Sequence, residues 1–128
     1  MPAVVELRDV GLTCEGTPIL DGISWKMEPG QHWALLGANG SGKSSLTRIL
    51  AGWTFPSVGE VEILGCHFGD GDVTALRRHV GWVSPTVAEA LPPALSAHEV
   101  VVSGCLGAPG LYQDATAAAM AAADLFLS

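Results

Sequence analysis

Apolar and polar positions change their spacing several times along the chain, and each spacing predicts an element. Val4 to Val10 reads as a strand, with Val4, Glu6, Arg8 and Val10 at alternate positions. Gly11 to Pro18 holds turn residues, and Ile19 to Met27 reads as a second extended stretch. Pro29-Gly30 is a turn that feeds His32 to Leu36, a short apolar run of the kind a buried strand carries. Leu46, Ile49 and Leu50 then fall at helical spacing, with Gly52 placed to stop the helix. Phe55-Pro56-Ser57 breaks the chain, after which Glu60 to Leu64 alternates again and predicts a half-exposed strand returning to the first sheet.

Asp72 is placed as the N-cap of a short helix through Arg78, and Val80 to Ser84 predicts another buried strand, ended by Pro85. Beyond residue 85 the pattern turns helical. Pro92-Pro93 marks a linker, and Ser96 with Glu99 forms a capping-box pattern that opens a helix through about Leu106. Gly107 to Gly110 reads as a loop and Asp114 to Phe126 as an Ala-rich helix of high intrinsic propensity. This divides the chain into a mixed core over 1–85 and a helical region over 86–128.

The chemistry concentrates in Gly37-Ala38-Asn39-Gly40-Ser41-Gly42-Lys43-Ser44-Ser45. It fits the phosphate-loop pattern and lies between the predicted strand and the predicted helix, the context that pattern requires. Glycines at 37, 40 and 42 open backbone conformations closed to other residues and leave room for phosphate. Successive N–H groups form an anion nest, reinforced by the dipole of the helix beginning near Lys43. Lys43 is expected to reach the β- and γ-phosphates, Ser44 to place its hydroxyl on Mg²⁺, and Ser45 to bond the α-phosphate.

Composition narrows the partners. With 48% hydrophobic and 15% charged residues in 128, the chain can fold around a core as one domain at most. A net charge of −7 leaves no electrostatic footprint for nucleic acid. Cys14, Cys66 and Cys105 lie far apart with no Cys-x-x-Cys pair, which favours reduced thiols in a cytosolic setting. No signal-peptide pattern follows Met1, and no apolar run reaches the ~18 residues of a membrane span, so any membrane link is expected through a partner.

The run Leu7-Arg8-Asp9-Val10, Ile19 to Ser24, Pro29-Gly30, Leu35 to Leu50, Gly59-Glu60-Val61 and Arg77 to Val83 resembles the N-terminal half of an ATP-binding-cassette ATPase. The Asn39-Gly40-Ser41-Gly42-Lys43-Ser44 loop is typical of that family. Val83-Ser84-Pro85 and Gly104 to Tyr112 look faintly like molybdate-type cassettes. The resemblance implies an α/β fold: a P-loop NTPase core, a flanking antiparallel β-subdomain and, truncated, the start of a helical subdomain. It also implies Mg·ATP as cofactor, a second cassette bound head to tail, and a membrane permease holding the protein at the cytoplasmic face.

Several positions depart from the family pattern. Cys14 stands where an aromatic residue usually stacks on adenine, and Pro85 stands where a glutamine senses Mg²⁺ and the attacking water. A thiol offers little stacking surface, and proline has no polar side-chain group. The family's signature loop, catalytic acid and switch histidine have no counterpart here, so no catalytic residue is identified. Val102 to Cys105 is read as a helix end, Ala3 to Glu6 as an edge strand, His98-Glu99 as part of a helix start, and Trp25, Trp33, Trp53 and Trp82 as core. His32, His67 and His79 sit singly, and Cys66-His67 lacks companions for a metal. The expected function is ATP binding in a transporter, with hydrolysis in the intact parent and little in this chain alone. A non-catalytic regulatory module and a different phosphate-loop enzyme, a GTPase or small-molecule kinase, stay as alternatives.

Overall fold

The computed structural model describes residues 2–107 and 116–128. The chain packs as two compact units, Met1–Leu76 and Arg77–Ser128. Most of the expected Gly107–Gly110 loop and the start of the expected Asp114 helix lie outside the described residues.

The first unit is built on a four-stranded sheet of β1 (Val5–Cys14), β2 (Thr17–Met27), β3 (Val58–Ile63) and β4 (Cys66–His67), in the order β2-β1-β3-β4. All neighbours are antiparallel. β1 and β2 form a hairpin turning at Glu15-Gly16, both with positive φ. That backbone twist matches the flanking strands, so pairing continues to Cys14↔Thr17. The expected turn over Gly11 to Pro18 is therefore mostly strand, because its residues find cross-strand partners. The expected edge strand from Ala3 is also corrected: β1 lies inside the sheet, bonded on both sides.

Leu7 and Val10 are both buried although three positions apart, which simple alternation forbids. A register irregularity between them, with Asp9 at φ 48°, resets the phase. The Asp9 N–H donates to Ser24 Oγ at 2.9 Å, which replaces a lost ladder bond. On the opposite face Arg8 bridges Glu6 at 2.7 Å and Glu60 at 3.0 Å. Hydrogen bonding from Arg8 holds the Glu6 carboxyl below its ordinary pKa.

Two expected strands do not form. His32 to Leu36 and Val80 to Ser84 are paired in no ladder among the described residues, and Leu36 and Val83 are 88% and 101% exposed. An apolar run supplies a reason for burial but not the hydrogen-bonding neighbour a strand requires. The expectation of four core tryptophans fails with them. Trp33 is 59% exposed, packed edge-on to half-buried Trp25 with ring centroids 5.5 Å apart, and Trp53 and Trp82 are half-buried.

Helix α1 (Lys43–Leu50) follows the glycine-rich loop and buries Leu46 and Ile49. Helix α2 (Val73–Arg77) starts as expected, with the Ala75 N–H donating to Asp72 Oδ1 at 2.9 Å. The second unit holds α3 (Pro85–Ala90), α4 (Ala97–Leu106) and α5 (Ala117–Leu127). Pro85 does not merely end a strand: it opens α3, with the Ser84 hydroxyl capping the Thr86 N–H at 3.2 Å. Proline at the first helical position after a serine cap was the signal for this helix. The Ser96/Glu99 capping box of α4 is formed in full. α4 and α5 pack through Val102, Ala119 and Ala123, small residues that let the backbones approach, and His98 Nε2 meets Asp124 Oδ1 at 2.9 Å.

Candidate phosphate site

The loop over 37–42 is irregular and hands directly into α1. Gly40 has φ 80°, and Gly42, the N-cap, has φ 94°, conformations that residues with a Cβ rarely adopt. No side chain caps α1. Its opening N–H groups are therefore not consumed by the chain's own hydroxyls or carboxylates, and Asp and Glu are absent from its first turn. The arrangement leaves a bare, positively polarised helix start.

Lys43 sits at the start of α1 and its ammonium folds back over the loop. Nζ donates to the carbonyls of Gly37 and Ala38, each at 2.6 Å, and to Ser41 Oγ at 3.3 Å. The Ser41 N–H in turn donates to Ala38 at 3.1 Å. The loop is thus wound around one cation, with its polar backbone close to a charge that oxygen anions seek.

Two glycines are also needed for space. A Cβ on Gly37 would come within 2.7 Å of Ser41 Oγ. One on Gly42 would come within 2.8 Å of Leu20 Cδ2 and 2.9 Å of the Ile19 carbonyl oxygen. Bare N–H groups, a cation and crowded glycines suit a polyphosphate and disfavour a neutral ligand.

Around this nucleus the expected residues fall unevenly. Asn39, Gly40, Ser41 and Ser44 are exposed, and Ser45 is half-buried. Cys14 is exposed at the end of β1, paired with Thr17 beside the hairpin turn. Pro85 begins α3 in the second unit, and the Ser84 oxygen that might have replaced a glutamine is engaged as that helix's cap. His67 pairs with Glu62 at 2.9 Å. Burial and the nearby Asp72 and Asp70 raise the Cys66 thiol above its ordinary pKa, away from the thiolate that binds metal. No group of three or more His, Cys, Asp or Glu among the described residues is arranged to hold a metal. The structure adds Ile19 and Leu20 to the walls of the loop. Only the third glycine hinted at them, since nothing in the motif says which strand presses on it.

Residues 20–126 match the model of the ABC transporter family. YlmA of Bacillus subtilis (strain 168), an uncharacterized ABC transporter ATP-binding protein, is 40% identical over 111 residues, 86% of this chain and 42% of that one. YmeB of Lactococcus lactis, another uncharacterized ABC transporter ATP-binding protein, is 34% identical over 113 residues, 88% of this chain and 44% of that one. The chain thus spans less than half the length of these relatives. Among solved structures, the dimeric post-hydrolysis state of the ATP-binding cassette MJ0796, bound to ADP and Pi, matches with a TM-score of 0.74. That match is 26% identical and covers 96% of this chain and 55% of the other.

Proposed function

This chain belongs to the ABC transporter family and carries the α/β fold of its ATP-binding domains, and on that premise we propose that its phosphate loop binds the triphosphate of Mg·ATP. The observation that carries the reading is Lys43 Nζ gathered into a glycine-rich loop at an uncapped helix start. Lys43 neutralises the β- and γ-phosphates, backbone N–H groups of the loop other than that of Ser41, with those opening α1, cradle them, and Ser45 bonds the α-phosphate. Asn39 and Ser41 complete the loop. Ser44 offers the hydroxyl for Mg²⁺, an ion that takes oxygen ligands and shares phosphate oxygens. The bound nucleotide supplies a phosphoanhydride whose hydrolysis releases free energy; the residues described here bind and orient it. Cys14 lies on the adenine side and gives little stacking, so affinity rests mainly on phosphate.

In the whole protein this domain serves as the nucleotide-binding component of a transporter, peripheral to the cytoplasmic face. It pairs head to tail with a second cassette and docks on a membrane permease. The relatives named above are ABC transporter ATP-binding proteins, which supports that assignment. Hydrolysis also needs a group that orients water and others that stabilise the transferring phosphoryl. No residue of this chain is assigned either role, so the 128-residue chain alone turns over slowly or not at all. The mixed core over 1–85 carries the nucleotide chemistry and 86–128 the helical region.

Calorimetric titration with Mg·ATP, paired with steady-state phosphate release, tests this. Replacing Lys43 with Ala removes a charge-assisted contact, and affinity is expected to fall roughly 10- to 100-fold. Equal affinity in the variant defeats the binding assignment, and brisk Lys43-dependent turnover defeats the statement about hydrolysis. A second reading, a non-catalytic nucleotide-binding regulator, is favoured by Cys14 and Pro85 at two positions where the family has an aromatic and a glutamine. Mg·ATP binding without turnover in a full-length version selects it.

A further inference from the structure

We propose that Leu20 of β2 is a positioning residue for the phosphate loop: it presses on Gly42 and sets where the first N–H groups of α1 point. The inference rests on the Mg·ATP reading above and concerns how the sheet holds that site. Gly42 is the hinge between loop and helix, in a left-handed conformation, with no side chain of its own. At that point β2 comes so close that even a methyl group would lie 2.8 Å from Leu20 Cδ2 and 2.9 Å from the Ile19 carbonyl oxygen. Leu20 is 7% exposed and Leu46 of α1 is 6% exposed. A close-packed surface of this kind fixes position, because packed side chains yield little before they clash.

The same strand extends toward the base side. Leu20 pairs with Leu12, and three residues earlier Thr17 pairs with Cys14, the residue on the adenine side of the proposed site. Register irregularities flank Leu12 in this ladder, so the hold on Gly42 comes from Leu20 itself and not from the far end of the hairpin. A shorter residue at 20 frees Gly42 to shift. The N–H groups of the nest then lose alignment with the phosphate oxygens, and hydrogen bonds weaken steeply with misalignment.

Leu20→Val tests this, since it keeps a strand-forming aliphatic residue but withdraws the Cδ2 that lies 2.8 Å from where a Cβ on Gly42 would stand. Leu20→Met restores the reach, and Leu7→Val disturbs a buried residue of β1 that is not among the nearest neighbours of the loop glycines. Affinity for Mg·ATP and for inorganic triphosphate is measured by calorimetry, with melting temperature followed in parallel. Leu20→Val is expected to weaken both ligands roughly tenfold, the equivalent of one weakened phosphate hydrogen bond, with Leu20→Met close to the original chain. Leu7→Val is expected to lower the melting temperature with affinity retained.

Should Leu20→Val fold and bind like the original chain, the positioning role is overturned while the Mg·ATP reading stands. Should the original chain itself ignore both ligands, that reading falls and takes this inference with it. A coupling measurement covers the case in which Leu20→Val is unstable. Gly42→Ala and Leu20→Met together should change affinity by a factor different from the product of their single effects, because the two side chains share one space. Strict additivity overturns the contact.

Discussion

At the scale of single residues, two glycines outside the phosphate loop's motif show how differently the same residue type can be used. Gly107 ends α4 in a left-handed conformation, the usual helix stop. Gly59 is under tighter constraint: its φ is 89°, and an added Cβ would press on the Arg8 carbonyl at 2.6 Å and on the backbone of Asp9. It faces the irregularity in β1, so strand β3 can follow the bend only with hydrogen at this point. Gly59→Ala is therefore expected to destabilise the first unit by about 2–4 kcal/mol, left-handed strain plus backbone clash, read as a lowered urea midpoint. Gly16→Ala is the comparison, since it also has positive φ but nothing within 4 Å of the added carbon, and should cost less. Gly37, Gly40 and Gly42 could be read from the sequence because a motif gives their reason. Gly59 could not, since its reason is the approach of another strand.

Individual elements were legible where their instructions are local. Ser96 and Glu99 satisfy each other's backbone N–H groups across one helical turn, and that exchange needs no tertiary partner. The Asp72 cap belongs to the same class, whereas the strand expected over Glu60 to Leu64 formed because β1 lies beside it. The runs over 32–36 and 80–84 failed because a strand is a relation between segments, and no cross-strand partner is specified by their residues. The capping box also makes a pH prediction. The Ser96 N–H and hydroxyl hold the Glu99 carboxyl below its ordinary pKa of 4.5. A carboxyl lowered in the folded state stabilises α4 above the unfolded pKa and loses that contribution as pH falls through the folded one. Helical ellipticity at fixed temperature should decline on acidification below about pH 4.5, and Glu99→Gln should flatten that decline. An unchanged acid limb in the variant would show that another group governs it.

At the scale of the whole molecule, each of the two units can be taken by itself. The second relies on Val102 with Ala119 and Ala123, a small apolar cluster for the α4–α5 pair. Val102→Ala removes the volume of about two methylenes and is expected to cost about 1–2 kcal/mol. The cost should appear as a lower melting temperature for the helical signal, with Mg·ATP affinity unchanged, because the phosphate loop lies in the first unit. Affinity that falls in step with helical melting would show that the site depends on both units. The division of labour was partly readable, since the mixed pattern and the helical pattern occupy successive stretches of sequence.

The bare start of α1 has one more consequence. Ser96, Thr116 and Ser84 each finish the helix they introduce, whereas Gly42 contributes no such group. The first N–H groups of α1 are therefore left without a side-chain cap, and their amide exchange is expected to slow when Mg·ATP is added.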